Sequence, residues 1–340
     1  MDYIRNFKGW VASVVVLVVF LLIKLLSAGE TPYQESVGEK YSTIYSVIYK
    51  SDHNLGDSIA VLLDKFDYSL SPFNKNSILA AINNNDTTAK ADILLSEVIS
   101  LSQKVYHATS GAFDPTISPL INAWGFGYKT EKYPTAVEVD SLKAFVGIDK
   151  ISLSSDGRVY KEKEESTLNF SAIAKGYIVD LIANYLESKG ITDYLVNIGG
   201  EINCKGLNSK GEKWRIGVDK PEESNIGGGD IHSVLQLTGK ALATSGNYRK
   251  FKIEDNQKVW HIIDPRTGYP TESRVLSATV IANDCATADA YATALMVLGI
   301  EEGMPIIEAD STLEAMFISP GDTTQYSIYY SKGFKQYLKQ

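Results

Sequence analysis

The stretch ATADAYATALMVLG, starting at Ala286, restricts the fold more than any other part of the chain. Wound at about 100° per residue, residues 286–298 make a helix that is apolar nearly all round. Asp289 is its only strongly polar interruption, and Thr293 lies four residues later on the same face. A helix of this kind has to be buried. A chain of 340 residues, 44% of them hydrophobic, can supply the surrounding core. Burying an unpaired carboxylate costs several kcal/mol, so Asp289 needs a partner inside the protein or an ion. Two readings follow. As a cap near the helix start, Asp289 would take up backbone N–H groups. As one of two hard oxygen ligands on one face, it would suit Mg²⁺ or Ca²⁺ together with backbone carbonyls and phosphate oxygens.

The rest of the chain reads as mixed α and β. YSTIYSVIYK (residues 41–50) alternates as a strand, whereas DSIAVLLDKF and ADILLSEVISLSQKVY place apolar residues at helical spacing. KISLSSDGRVYK signals a hairpin turning at Asp156-Gly157. AKGYIVDLIANYLESKG is an amphipathic helix ending at Gly190, and YLVNIGGEI, WRIGVD, VWHIID and VLSATVIA read as strands. The irregular order of these elements favours an α+β fold over a doubly wound sheet. No internal repeat, low-complexity segment or long linker divides residues 30–340. The formal net charge of −8 argues against nucleic acid as a partner, because no lysine- and arginine-rich stripe is present to neutralise phosphates.

Residues 1–29 are of a different character. Arg5 and Lys8 precede an apolar run over residues 11–23, with Lys24 close behind it. This pattern is a signal peptide or a signal anchor, and counted over residues 10–28 it is just long enough to span a bilayer. The basic residues ahead of it keep the N-terminus in the cytoplasm, so the body that follows would be exported. No cysteine follows the run, which excludes lipid attachment there. The two cysteines, Cys204 and Cys285, are either a disulfide or two buried free thiols.

Glycine-rich stretches add a ligand-binding signal. NIGGEI (residues 197–202) follows a strand, and SAIAKGY (residues 171–177) opens a helix, so Lys175 stands near a positive helix N-terminus where phosphate is favoured. HIIDPRTGYP (residues 261–270) is either an active-site loop or a half-buried strand ending in a turn, since Asp-Pro and Thr-Gly are turn dipeptides. The other histidines, His53, His107 and His232, lie in no motif.

SGAFDPTISPLINAWGFG (residues 110–127) resembles the ApbE-type FAD:protein FMN transferases. The resemblance continues in order through NFSAIAKGYIVD, LVNIGGEI, ATSGNYRKF, HIIDPRTGYP and ATADAYATAL. It implies one catalytic body of T-fold-related mixed sheets and helices. The implied enzyme binds FAD with Mg²⁺ or Ca²⁺, splits the pyrophosphate and releases AMP. FMN passes through a phosphoester bond to a threonine or serine of a partner protein. Subunits of the sodium-translocating NADH:quinone reductase and of the RNF complex are the implied acceptors, on the periplasmic side of the cytoplasmic membrane. Water in place of the acceptor would make the enzyme a metal-dependent FAD pyrophosphatase. A periplasmic flavin-binding protein is the non-enzymatic alternative.

Carried over residue by residue, the resemblance makes the side chains of Asp289 and Thr293 and the carbonyl of Ala172 the metal ligands. His261 becomes the candidate general base, and Asp264 shapes its loop. Ala112, Phe113, Asp114, Asn169, Lys175 and the backbone at Ile263 would contact FAD, with Tyr41 against the flavin. Asn169 stands where the family commonly has aspartate, and the usual lipid-attachment cysteine is missing.

Overall fold

The computed structural model describes residues 31–126, 133–221, 230–247, 251–254, 257–260, 262–321 and 326–339. In chain order they form β1 (Tyr33–Lys40), β2 (Thr43–Lys50), α1 (Gly56–Leu70), α2 (Ile78–Asn83), α3 (Ile93–Ala108), α4 (Ser118–Ala123) and α5 (Ala136–Lys143). The middle of the chain gives β3 (Ile151–Leu153), β4 (Val159–Lys161), α6 (Ala174–Ser188), β5 (Tyr194–Ile198), β6 (Glu201–Lys205), β7 (Trp214–Asp219) and β8 (Ile231–Leu237). Then come β9 (Lys240–Gly246), β10 (Phe251–Glu254), β11 (Gln257–Trp260), β12 (Ser277–Ala282), α7 (Cys285–Ala309), β13 (Glu314–Pro320) and β14 (Tyr326–Tyr330).

Eight strands make one antiparallel sheet in the order β1-β2-β5-β6-β9-β12-β13-β14. Its central strands are buried on both faces, and period-two alternation sorts their side chains between two cores. From β12 and β13, Ala278, Val280, Ala315 and Phe317 join the helices in the larger core. Ile281, Met316 and Ile318 point the other way, onto Trp214, Ile216 and Leu235 of the β7–β8 ribbon. The same alternation settles the cysteines. Cys285 belongs to the larger core and Cys204 to the core on the opposite face, and both are free.

The sequence expectation of one α+β body fits this architecture, with differences in detail. YLVNIGGEI is two strands, because Gly199 and Gly200 both adopt positive φ (66° and 105°) and reverse the chain into a β5–β6 hairpin. The Asp156-Gly157 hairpin is present, with Gly157 at φ 86°. The strand signal at residues 41–50 starts at Thr43, since Tyr41 and Ser42 form the tight turn from β1, both with φ above 50°.

The last helix is longer than its motif and breaks at Gly299 (φ 70°). By length and composition it could cross a membrane, but 61% of its most apolar window is buried inside the protein. It is the core helix that its all-round apolar surface demands. Its start is capped twice. The Asp284 side chain accepts the N–H of Thr287, and Asp180 of α6 accepts those of Cys285 and Ala286, each at 2.8 Å. Asp289 is therefore not the cap of its own helix. Residues 1–29, the segment with the signal-peptide pattern, lie outside the described residues.

Candidate functional site

α6 and α7 pack so closely that a Cβ on Gly176 would sit 2.2 Å from the carbonyl oxygen of Cys285. This close approach lets the side chain of α7 residue Asp289 reach the first turn of α6, where its Oδ2 accepts the Gly176 N–H at 3.0 Å. Gly176 lies in the first turn of α6, where a helix leaves its N–H groups without an intrahelical acceptor, and Asp289 supplies one. The Ala172 carbonyl, just ahead of the helix, has no hydrogen bond among the described residues. The N-cap position of α6, Ile173, provides no side-chain cap.

A cavity of about 540 Å³ opens beside this junction. Ala112, Phe113, Asp114, Asn169, Ala172, Lys175, Ile263, Asp289 and Thr293 all line it. Residues as far apart in sequence as Ala112 and Thr293 thus line one cavity. Thr244 and Ser245 of β9 contribute as well, and the Ser245 hydroxyl meets that of Thr293 at 3.2 Å.

Glu201 also lines the cavity, and the sequence reading missed it. Alternation along EINCK puts Glu201 on the strand face it shares with Asn203 and Lys205, so no local pattern marked it as buried. Glu201 is 3% exposed and forms an ion pair with Lys175. Burial, reinforced by the neighbouring charge of Asp289, pushes its carboxyl up to about 7 against the pull of Lys175. Burial likewise raises Asp289, opposed by Lys175 and the Gly176 N–H. Burial works against the charge of Lys175, but Asp289 and Glu201 outweigh it and hold the ammonium above its usual range.

Asp114, also in the lining, takes both the N–H and the hydroxyl of Thr116, at 2.8 and 2.6 Å, and burial raises its carboxyl to about 6. Asn169 Oδ1 accepts the N–H and hydroxyl of Ser171, at 3.0 and 2.6 Å. An aspartate could accept both bonds equally well, so the neutral amide keeps the turn leading into α6 while removing a negative charge.

Residues 262–270 form a tight loop whose Ile262, Ile263 and Pro265 line the cavity. Ile263 bridges to Pro270, Gly268 turns with φ 85°, and Trp124 donates its indole N–H to the Gly268 carbonyl at 2.8 Å. Asp264 is held by Arg266 through Nε and Nη2, while Arg266 Nη1 reaches Glu302 of α7 at 2.7 Å. Asp264 thereby fixes the loop to the core helix. His261 lies outside the described residues; its neighbours Ile262 and Ile263 line the cavity. Tyr41 does not line it. The left-handed turn between β1 and β2 directs that ring onto Phe66, with the hydroxyl on the Leu63 carbonyl at 2.7 Å.

Fold and site together define a ligand-binding α+β protein whose charged cleft lies where a core helix meets the first turn of its neighbour. The chain belongs to the ApbE family, whose model matches residues 41–317. An FAD:protein FMN transferase of Vibrio cholerae is 34% identical over 337 residues, covering 95% of this chain and 99% of the relative. The solved flavin transferase ApbE of Vibrio cholerae superposes with a TM-score of 0.78 at 34% identity, over 90% of this chain and 100% of that one. The apo form of the Pseudomonas stutzeri flavinyl transferase ApbE gives a TM-score of 0.81 at 27% identity, over 92% and 98%.

Proposed function

We propose that this chain is an FAD:protein FMN transferase that uses a divalent cation to move FMN from FAD onto a threonine or serine hydroxyl of a partner protein, releasing AMP. One observation carries the reading: Asp289, Thr293 and Ala172, which bring a carboxylate, a hydroxyl and a carbonyl, line one cavity beside the α6–α7 junction. These are hard oxygen donors of the kind Mg²⁺ or Ca²⁺ takes. The charge of the cavity points the same way. Among the described residues of the lining, Asp114, Glu201 and Asp289 set three carboxylates against the one ammonium of Lys175, a combination that repels a pyrophosphate unless a cation intervenes. When bound, such an ion would draw charge from the pyrophosphate and stabilise the departing AMP oxygen.

The remaining roles belong to the chain itself. Lys175 offers an ammonium at the cavity floor, next to the start of α6, where phosphate oxygens are favoured. Ala112, Phe113, Asp114, Asn169 and Ile263 form the walls that would hold the flavin nucleotide in one orientation. His261 is assigned the proton of the acceptor hydroxyl, so that the oxygen attacks phosphorus as the phosphoanhydride bond to AMP breaks. Residues 1–29 are assigned to membrane anchoring, with residues 30–340 as the transferase on the periplasmic side. There, subunits of the sodium-translocating NADH:quinone reductase or the RNF complex would be within reach.

The test is to incubate the full-length protein with FAD, Mg²⁺ and one such membrane subunit. AMP should appear only with the divalent ion, and the subunit should gain the mass of one FMN. AMP release with no mass gain would identify a pyrophosphatase. FAD that stays intact with Mg²⁺ and acceptor present would leave a flavin-binding protein.

A further inference from the structure

We propose that Glu201 is a further oxygen donor to the divalent cation, acting through its Oε2 alongside Asp289, Thr293 and the Ala172 carbonyl. The inference rests on the divalent-ion reading above and extends it to a residue that the sequence motifs did not single out.

The argument starts from an unsatisfied atom. Glu201 opens β6 directly after the Gly199-Gly200 turn, which drives its side chain into the cavity rather than toward solvent. Oε1 is held by the ammonium of Lys175. Oε2 is buried and has no hydrogen-bond partner among the described residues. A carboxylate oxygen left in this state costs free energy that folding alone would have removed, by supplying a donor or by admitting water. If Glu201 served only to pair with Lys175, a second donor would be expected at Oε2, as Asp180 has donors at both its oxygens.

The surroundings restrict which ligand Oε2 can take. The charge of Asp289 is near enough to raise the Glu201 carboxyl, and Lys175 interacts with both acids. Two carboxylates sharing one ammonium leave a net negative pocket, which favours a cation over a neutral donor. Asp289 brings one negative charge, half of what a divalent cation carries, and its Oδ2 already accepts the Gly176 N–H. A second acid at the same wall supplies the missing negative charge.

The experiment is a Mn²⁺ titration of the full-length protein in detergent, without FAD, following free Mn²⁺ by electron paramagnetic resonance. It compares the wild type with Glu201→Gln and Asp289→Asn. Glutamine can still accept from Lys175, so the ion pair's geometry is retained while the charge is lost. Wild-type protein should bind Mn²⁺, Asp289→Asn should abolish binding, and Glu201→Gln should weaken it about tenfold or more. Binding within twofold of wild type in Glu201→Gln, with Asp289→Asn still inactive, overturns the role of Glu201 and leaves the divalent-ion reading intact. Wild-type protein that leaves all Mn²⁺ free overturns both. A second measurement needs no variant. In protein carrying ¹³C in its glutamate carboxyls, Mg²⁺ should shift an isotope-sensitive carboxylate band in the infrared difference spectrum. A spectrum in which only unlabelled carboxylates respond also overturns the proposal.

Discussion

The carboxylate of Asp289 accepts the backbone N–H of Gly176 at 3.0 Å, tying the core helix to the first turn of the helix beside it. This single bond satisfies half of a buried acid and one of the backbone N–H groups that a helix start leaves without an acceptor. It also requires the two backbones to approach closely, and only glycine at position 176 permits that.

Gly176→Ala should therefore fail structurally before it fails chemically. The new methyl would meet the Cys285 carbonyl oxygen at 2.2 Å and the Ala286 Cα at 2.8 Å, and both are backbone atoms that cannot swing aside. We expect a loss of about 3 kcal/mol, read as a lower midpoint in thermal melting. Any variant that remains folded should bind Mn²⁺ more weakly, because parting α6 from α7 separates Ala172 from Asp289. A melting midpoint equal to wild type would show that the helices have room to spare.

His261→Ala should retain FAD and Mg²⁺ affinity while slowing FMN transfer at least about a hundredfold, the loss typical of a missing general base. In the wild type, transfer should slow as the pH falls through the imidazole range near ~6.5, where a protonated ring can no longer accept the hydroxyl proton. A near-normal rate with FAD and acceptor saturating would assign the histidine to loop shape alone.

Asp114 gives a pH dependence of stability in the ligand-free protein. Burial lifts its carboxyl from 3.8 to about 6, so between those values the folded chain holds a proton that the unfolded chain has lost. Stability should then fall as pH rises from 4 to 6, by up to about 3 kcal/mol, and level off above that. Asp114→Asn keeps both bonds from Thr116 and removes the ionisable group. It should match wild type near pH 4 and exceed it in stability near pH 8. Parallel melting curves for the two proteins across that range would rule out the assignment.

A fusion of alkaline phosphatase after Gln340 tests the placement of the body outside the cytoplasm. Activity of the fusion in intact cells is the expected result, since the enzyme matures only after export. Silence there, with activity from a cytoplasmic reporter at the same site, would reverse the topology.

Periodicity made much of this protein legible before folding. An all-round apolar helix has to be a core helix, and Asp289 within it has to find a partner; both conclusions follow from the cost of exposing methyl groups or burying charge. The α+β class followed from the order of the patterns, and the turn around Pro265 and Gly268 from its Asp-Pro and Thr-Gly dipeptides. What the sequence could not decide was the identity of the partners across elements. Whether Asp289 capped its own helix or reached another depended on Asp284 and Asp180 already occupying the helix start. Glu201 was invisible as a site residue because only the β5–β6 reversal and the packing of α6 bring it to Lys175. Cys204 and Cys285 were separated by a sheet whose two buried faces no local pattern distinguishes. Local propensity sets which surface of each element is apolar, whereas long-range packing alone selects which polar atoms meet inside it.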